Sequence, residues 1–426
     1  MTAISARRVT RRTQPPLEHR VLMTATLLLL AYGAVMVYSA SSPAGVISGH
    51  GFGTGEFFMY LLAAGIGLVV MRIAERRGLA LLTPQVTKAL LWASFGLLAL
   101  VLVPHIGVSV AGARRWIGAG PVQFQPSELM KVALILYVAR YVAENPRRIH
   151  RGIRKALAPV LVVTAPACLL IYLEPDLGTT LVVAGTVAAL LIAGGVPMRY
   201  LGIVAAVVVA AIILLVLGSA YQRARLTSFL HPWASIKTTG FQSVEGQVGI
   251  GSGGFFGVGL GKGVIKDFYV PEAQTDFILA VIGDELGVMG IMFVVVLYGM
   301  LAFAGLRTAR KAATRYGKLV ATGVTSLILC QGLLNIFVVL GIAPLTGVPL
   351  PFLSYAPTSL VVLLGGVGLL ANISRPSAQE LRAVDREAGR AQTQAANYER
   401  SEDRDRRRRD RRSRSPGAGG RRRAAG

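Results

Sequence analysis

"PEAQTDFILAVIGDELGVMGIMFVVVLYGM" runs from residue 271 to residue 300. From Ile278 onward it is apolar and long enough to cross a bilayer, which takes about 20 helical residues. Glu272 and Asp276 stand at its mouth, and Asp284 and Glu285 stand within it. Charge is costly there, and intramembrane acids usually face the bundle interior with a partner or a function. Asp276 has two readings. It caps the first helical turn, where an acid also suits the helix dipole, or it is a functional carboxylate at the membrane surface. Glu272 shares its face only if the helix begins before Pro271, a residue suited to a first turn. Asp284 and Glu285 point apart at ~100° per residue and are expected to have structural partners.

The rest of the chain agrees with a membrane setting. Of 426 residues, 53% are hydrophobic and 15% charged, and the mean hydropathy is +0.56. No soluble domain hides that much apolar surface, so the expected class is an all-α polytopic membrane protein. A net charge of +24 elsewhere suggests nucleic acid, but here the basic residues sit at the ends and in short loops between apolar runs. That is the positive-inside pattern, and no nucleic-acid partner is expected. Cys168 and Cys330 lie inside apolar runs and imply neither a disulfide nor a metal motif.

The apolar runs predict ten spans, at about 21–41, 57–74, 86–104, 127–143, 157–173, 179–195, 199–218, 276–306, 318–341 and 355–374. The first is too long for a signal-peptide core. It follows five arginines, so residues 1–20 are expected in the cytoplasm. The basic loops "ERRG", "RRIHRGIRK" and "RTARKAATRYGK" then fall inside with the N-terminus. The Arg-rich segment 375–426 is also expected inside, disordered and near anionic lipid. Residues 21–374 form the membrane domain, with a large outer loop, about 219–275, between spans seven and eight.

Several outer segments carry candidate chemistry. "HIGVSVAGARRWIGAGPVQFQP" contains Arg114 and Arg115. One turn into span four, Lys131 follows Glu128 by three residues and shares its face. The two form an internal pair, or Lys131 faces a polar cavity that takes an anionic group. In "EPDLGTT", Asp176 caps span six or belongs to a site. "IGSGGFFGVGLGKG" lacks the lysine–serine pair of a phosphate loop and suggests tight turns at the membrane surface. "APLTGVPLPFLSY", residues 343–355, is interrupted by Pro344, Pro349 and Pro351 and is not a regular helix. Non-helical backbone at membrane depth is tolerated where protein buries it or water reaches it. This segment, with Ser354, therefore suggests a cavity wall.

Together "GARRWIGAGPVQFQPSELMK", "EPDLGTT", "GIGSGGFFGVGLGKG", "YVPEAQTDFILAVIGDELG" and "PLTGVPLPFLSY" resemble, in order, the SEDS family of bacterial wall synthesis. The flavour of "PEAQTDF" and of the arginine loop is closer to FtsW, the division branch, than to RodA. "SYAPTS", "HPW" and Gln274 depart from the family's usual "SYGGSS", "DPW" and His.

The resemblance implies a ten-span peptidoglycan glycosyltransferase acting on lipid II at the outer face of the bacterial cytoplasmic membrane, at the septum. It implies Asp276 as the essential catalytic residue. Arg114, Arg115, Trp116, Lys131, Glu272 and Thr275 are expected around the substrate, with Glu128, Asp176, Pro349, Pro351 and Ser354 shaping the cavity. A sugar hydroxyl needs a base to become a nucleophile, and a departing pyrophosphate needs cations. A divalent cation, Mg or Mn, is expected, and no organic cofactor. The expected partners are a class B penicillin-binding protein transpeptidase, other divisome proteins and membrane lipid. The alternatives are a lipid II flippase, a RodA-like elongation polymerase and a non-catalytic scaffold. The first needs a polar path and commonly inverted repeats, which the sequence does not display.

Overall fold

The structure, a computed structural model, describes residues 15–47, 54–110, 113–119, 122–149, 153–236, 240–263 and 273–375. Glu272, most of residues 1–20 and all of 376–426 lie outside the described residues.

A bilayer offers no water to backbone amides, so the apolar runs satisfy themselves as helices. In chain order these are α1 (Leu17–Ile47), α2 (Thr54–Leu81), α3 (Pro84–Leu102), α4 (Pro126–Glu144), the single turn α5 (Pro146–Ile149), α6 (Ile153–Leu173), α7 (Leu177–Ala193) and α8 (Met198–Gly218). They continue as α9 (Ala220–Leu230), α10 (Phe241–Gly253), α11 (Ile278–Lys311), α12 (Arg315–Val339) and α13 (Pro357–Ser374). Among the described residues seven helices are long and apolar enough to cross a membrane, and Leu157–Leu173 and Leu177–Ala193 are shorter apolar helices.

Local chemistry sets the ends. Proline opens α3, α4 and α13, where its missing N–H has no partner to lose. Thr83, Asp176, Ser219 and Thr314 cap the helices that follow them with side-chain oxygens. At the centre, α4 is buried over most of its length and packs on α7, α12 and α13. The apolar window of α8, by contrast, has no residue buried within the chain.

Two features depart from the sequence reading. The loop before α4 is a three-stranded antiparallel sheet, β1 (Gly107–Val110), β2 (Ala113–Ala119) and β3 (Val122–Phe124), in that order. The described part of 219–275 is ordered against the bundle. α10 packs on α11, and the glycine-rich turn after it docks into a break in α11.

That break is at Gly287, whose φ of 67° interrupts the helix. The freed backbone groups are met across the break. Val258 N and Gly259 N donate to Asp284 O and Glu285 O, both at 3.0 Å, while Val288 N and Met289 N donate to Gly254 O and Phe255 O at 3.0 and 3.2 Å. A side chain at Gly257 (φ 80°) would begin 2.2 Å from Glu285 O. The glycines therefore serve both tight turns, with positive φ at Gly254, Gly257, Gly259 and Gly261, and close backbone approach at the break. Asp284 and Glu285 do have structural partners: Ser252 Oγ donates to Asp284 at 3.0 Å, and Ser39 Oγ on α1 donates to Glu285 at 2.7 and 2.8 Å.

Candidate active site

The sheet aims the arginines. Val108 pairs with Trp116 but Ser109 pairs with Arg114, so Arg115 is an extra residue on β2. Such a bulge re-aims side chains. Arg115 and Trp116 both line a cavity of about 430 Å³, whereas Arg114 is exposed and outside the lining. Arg115 is itself buried. Its Nε donates to Glu174 O at 3.1 Å and its Nη2 to Pro175 O. Nη1 lies 3.8 Å from Asp176 Oδ2. Backbone carbonyls thus hold two edges of the guanidinium and fix its orientation.

The "EPD" turn supplies those carbonyls. Asp176 caps α7, accepting from Thr179 N and Thr179 Oγ1 at 2.9 Å each, and it also lines the cavity. Its two sequence readings are therefore compatible. Burial pushes the neighbouring Glu174 carboxyl up to about 8; the charge of Asp176 adds to the effect and Arg115 opposes it.

The opposite wall answers the question of Asp276. α11 starts at Ile278, with Phe277 as a cap residue that makes no side-chain bond. Asp276 therefore does not cap the helix. Its carboxylate lines the cavity with Thr275. Oδ1 is approached by Thr275 Oγ1 at 3.3 Å and by Gln242 Nε2 of α10 at 3.5 Å. Asn335 Nδ2 fixes the backbone by donating to Asp276 O at 2.7 Å and Val348 O at 2.8 Å.

Gly347 lies between the two walls. Its φ is 71°, and a Cβ there would sit 3.8 Å from Arg115 Nη1 and 3.9 Å from Asp276 Oδ2. Only glycine takes that conformation readily, and its lack of a side chain leaves the gap between cation and carboxylate open. The irregular segment 343–356 is held by buried polar side chains, as buried non-helical backbone requires. Gln331 Nε2 donates to Pro349 O at 3.0 Å, Tyr298 Oη to Pro351 O at 2.6 Å, and Leu350 N to Ser354 Oγ at 2.8 Å. Pro349 lines the cavity, whereas Pro351 and Ser354 shape the segment from behind.

Lys131 is placed differently from the cavity-facing reading. It is buried and donates to Glu128 Oε1 at 2.7 Å and Gln331 Oε1 at 2.9 Å. Glu128 lines the cavity and Lys131 does not. A lone buried carboxylate is costly, and the short helical reach makes Glu128 the nearest compensation for Lys131. Residues not singled out from sequence also line the cavity: Gln123, Gln125, Thr179, Arg225, Gln242 and Tyr355. Arg225 belongs to the long segment 219–275, and Gln123 and Gln125 to the arginine-loop motif. Nothing in the sequence points Gln242 toward Asp276, because only the packing of α10 on α11 joins them.

The chain matches the FtsW/RodA/SpoVE profile, described as cell cycle protein, over residues 19–379. It belongs to this family. Stage V sporulation protein E of Bacillus subtilis (strain 168) is 39% identical over 370 residues, which is 86% of this chain and 99% of the relative. A probable peptidoglycan glycosyltransferase FtsW from Geobacter metallireducens is 36% identical over 360 residues, covering 83% and 94%. Among solved structures, one chain of a peptidoglycan synthase complex superposes with a TM-score of 0.69 at 29% identity, covering 84% of this chain and 98% of its own. Thermus thermophilus rod shape determining protein RodA gives 0.60 at 29% identity, covering 83% and 95%. With its apolar helices, family membership makes the chain a multi-pass membrane protein.

Proposed function

We propose that this chain is a peptidoglycan glycosyltransferase that polymerises lipid II, with Asp276 as general base and Arg115 as the principal contact of the leaving pyrophosphate. The single observation that carries the site assignment is that Asp276 Oδ2 and Arg115 Nη1 converge on Gly347, 3.9 and 3.8 Å from where its Cβ would stand, in one cavity. The acceptor hydroxyl gives its proton to Asp276 as its oxygen bonds to the donor's anomeric carbon. The bond from that carbon to pyrophosphate breaks, and the lipid pyrophosphate leaves with its electron pair toward Arg115, whose charge is already oriented. Trp116 and Thr275 line the space for the sugars. A base and a cation on opposite walls suit displacement on an activated donor, whereas a glycosidase commonly uses two carboxylates at a set separation.

Among the described residues no three metal-ligating side chains come together. Asp176 is engaged in capping and Glu128 with Lys131. Magnesium sites commonly take one or two carboxylates together with substrate phosphates. A divalent cation, Mg or Mn, would be held by Asp276 and the pyrophosphate and would supply positive charge to the leaving group, and no step is assigned to it.

The wider reading has ten spans with both termini in the cytoplasm and the cavity at the outer face. It places the chain at the septum beside a class B penicillin-binding protein, other divisome proteins and membrane lipid. The similarity to a chain of a synthase complex that coordinates polymerization and crosslinking supports the transpeptidase partner. The deciding experiment supplies labelled lipid II to the purified chain, with and without that partner, and measures glycan polymer. Lipid II crossing the membrane without polymer would overturn the enzyme reading in favour of transport.

A further inference from the structure

The buried titratable group that the mechanism leaves unused is Glu174. It is fully buried, and among the described residues neither carboxyl oxygen has a hydrogen-bond partner. It is absent from the cavity lining, yet its own backbone carbonyl holds Arg115 Nε at 3.1 Å. A buried carboxylate without donors is far more costly than a buried neutral acid.

Few charges act on it. Asp176 lies on the same turn, and Arg115 comes from β2. The flanking end of α6 carries Tyr172, and α7 and the segment 343–356 carry no ionised side chain. On α4, which packs against β2, α6 and α7, Glu128 is paired with Lys131.

We propose that Glu174 is a positioning residue, held as a neutral carboxylic acid behind Arg115, and that its neutrality leaves the guanidinium free to hold an anionic phosphate group in the cavity. Arg115 already has Asp176 at 3.8 Å and Asp276 across Gly347. If Glu174 lost its proton to solvent, a further negative charge would lie behind the same cation, and the attraction for a pyrophosphate would fall. Burial supports the neutral form at neutral pH, since the carboxyl is pushed up to about 8. The inference rests on the proposed anion-binding role of Arg115.

The test has two arms. In the first, infrared spectra of the full-length protein are recorded across a pH titration. A C=O band of a protonated carboxylic acid should be present at neutral pH, disappear with a midpoint near about 8, and be missing in Glu174→Gln. This arm does not depend on polymerase activity and needs only wild-type protein if the variant fails to fold; isotopic labelling of glutamate then makes the assignment. In the second, binding of lipid II is measured against pH. Wild-type Kd should rise about tenfold once Glu174 is ionised, the size of a 1.4 kcal/mol change, while Glu174→Gln should show no such rise. Absence of the band, or a Gln variant whose Kd keeps the wild-type pH dependence, would overturn the proposal. A band that titrates normally while Kd is flat in both proteins would refute the link to Arg115 and leave the polymerase reading standing.

Discussion

At the scale of single residues, the structure separates roles that look alike on paper. Asp276 and Asp176 both precede a helix, yet only Asp176 caps its helix. Asp276→Asn should therefore leave folding intact, because no helix start depends on its side chain. Polymer formation from lipid II should fall by ~10²–10⁴-fold, the usual cost of losing a general base. Near wild-type polymer yield would remove Asp276 from the chemistry. Lys131 makes a contrasting case, because its ammonium compensates Glu128 beneath the cavity floor. Lys131→Met should destabilise the protein by about 3–5 kcal/mol, as removal of one partner of a buried pair does. Thermal unfolding in detergent reads the loss, and adding Glu128→Gln should recover most of it. A stable single variant with weakened lipid II binding would instead restore Lys131 as a direct contact.

At the scale of elements, the unusual piece is α11. An apolar helix that breaks along its length must satisfy its freed amides and carbonyls from elsewhere in the protein. The turn after α10 does so with four backbone hydrogen bonds, Val258 and Gly259 donating and Gly254 and Phe255 accepting. This joint also holds α10, and through it Gln242, next to Asp276. Gly257→Ala places a methyl against Glu285 O at a left-handed φ. Strain of that kind costs about 1–3 kcal/mol. The variant should melt earlier and lose polymerase activity together, and an unchanged melting temperature would argue against the joint. The bulge at Arg115 is the corresponding device in the sheet. Its pairing pattern explains why adjacent arginines differ, Arg115 turned into the cavity and Arg114 left in solvent.

At the scale of the whole molecule, the charge pattern predicts that both termini lie on the cytoplasmic side. Reporter fusions at residue 426 should be active only as cytoplasmic reporters, and an external signal would refute the ten-span count. The apolar face of α11 that includes Met289, Met292, Phe293 and Val296 is exposed, and a single-span partner helix is predicted to dock there. A class B penicillin-binding protein should co-purify from native membranes, and charged substitutions at Met292 and Val296 should disrupt that association while leaving the cavity intact.

The sequence by itself determined the helical membrane class, because a run of apolar residues has only one economical way to satisfy its backbone in lipid. It also determined the importance of the outer motifs, since their acids, arginines and prolines sit where such residues are costly. Helix ends were legible wherever a proline or a short polar side chain marks them, as at Pro126 and Asp176. Which of those side chains face one another was decided by tertiary structure alone. Arg115 and Asp276 are far apart in sequence and meet across Gly347 only because β2, the "EPD" turn and α11 pack around one cavity. The break in α11 was equally hidden, because Gly287 in an apolar run reads as a tolerated helical residue. Only the arrival of another segment's carbonyls and amides makes the break stable, and a hydrogen bond between segments leaves no local mark in the residues that make it.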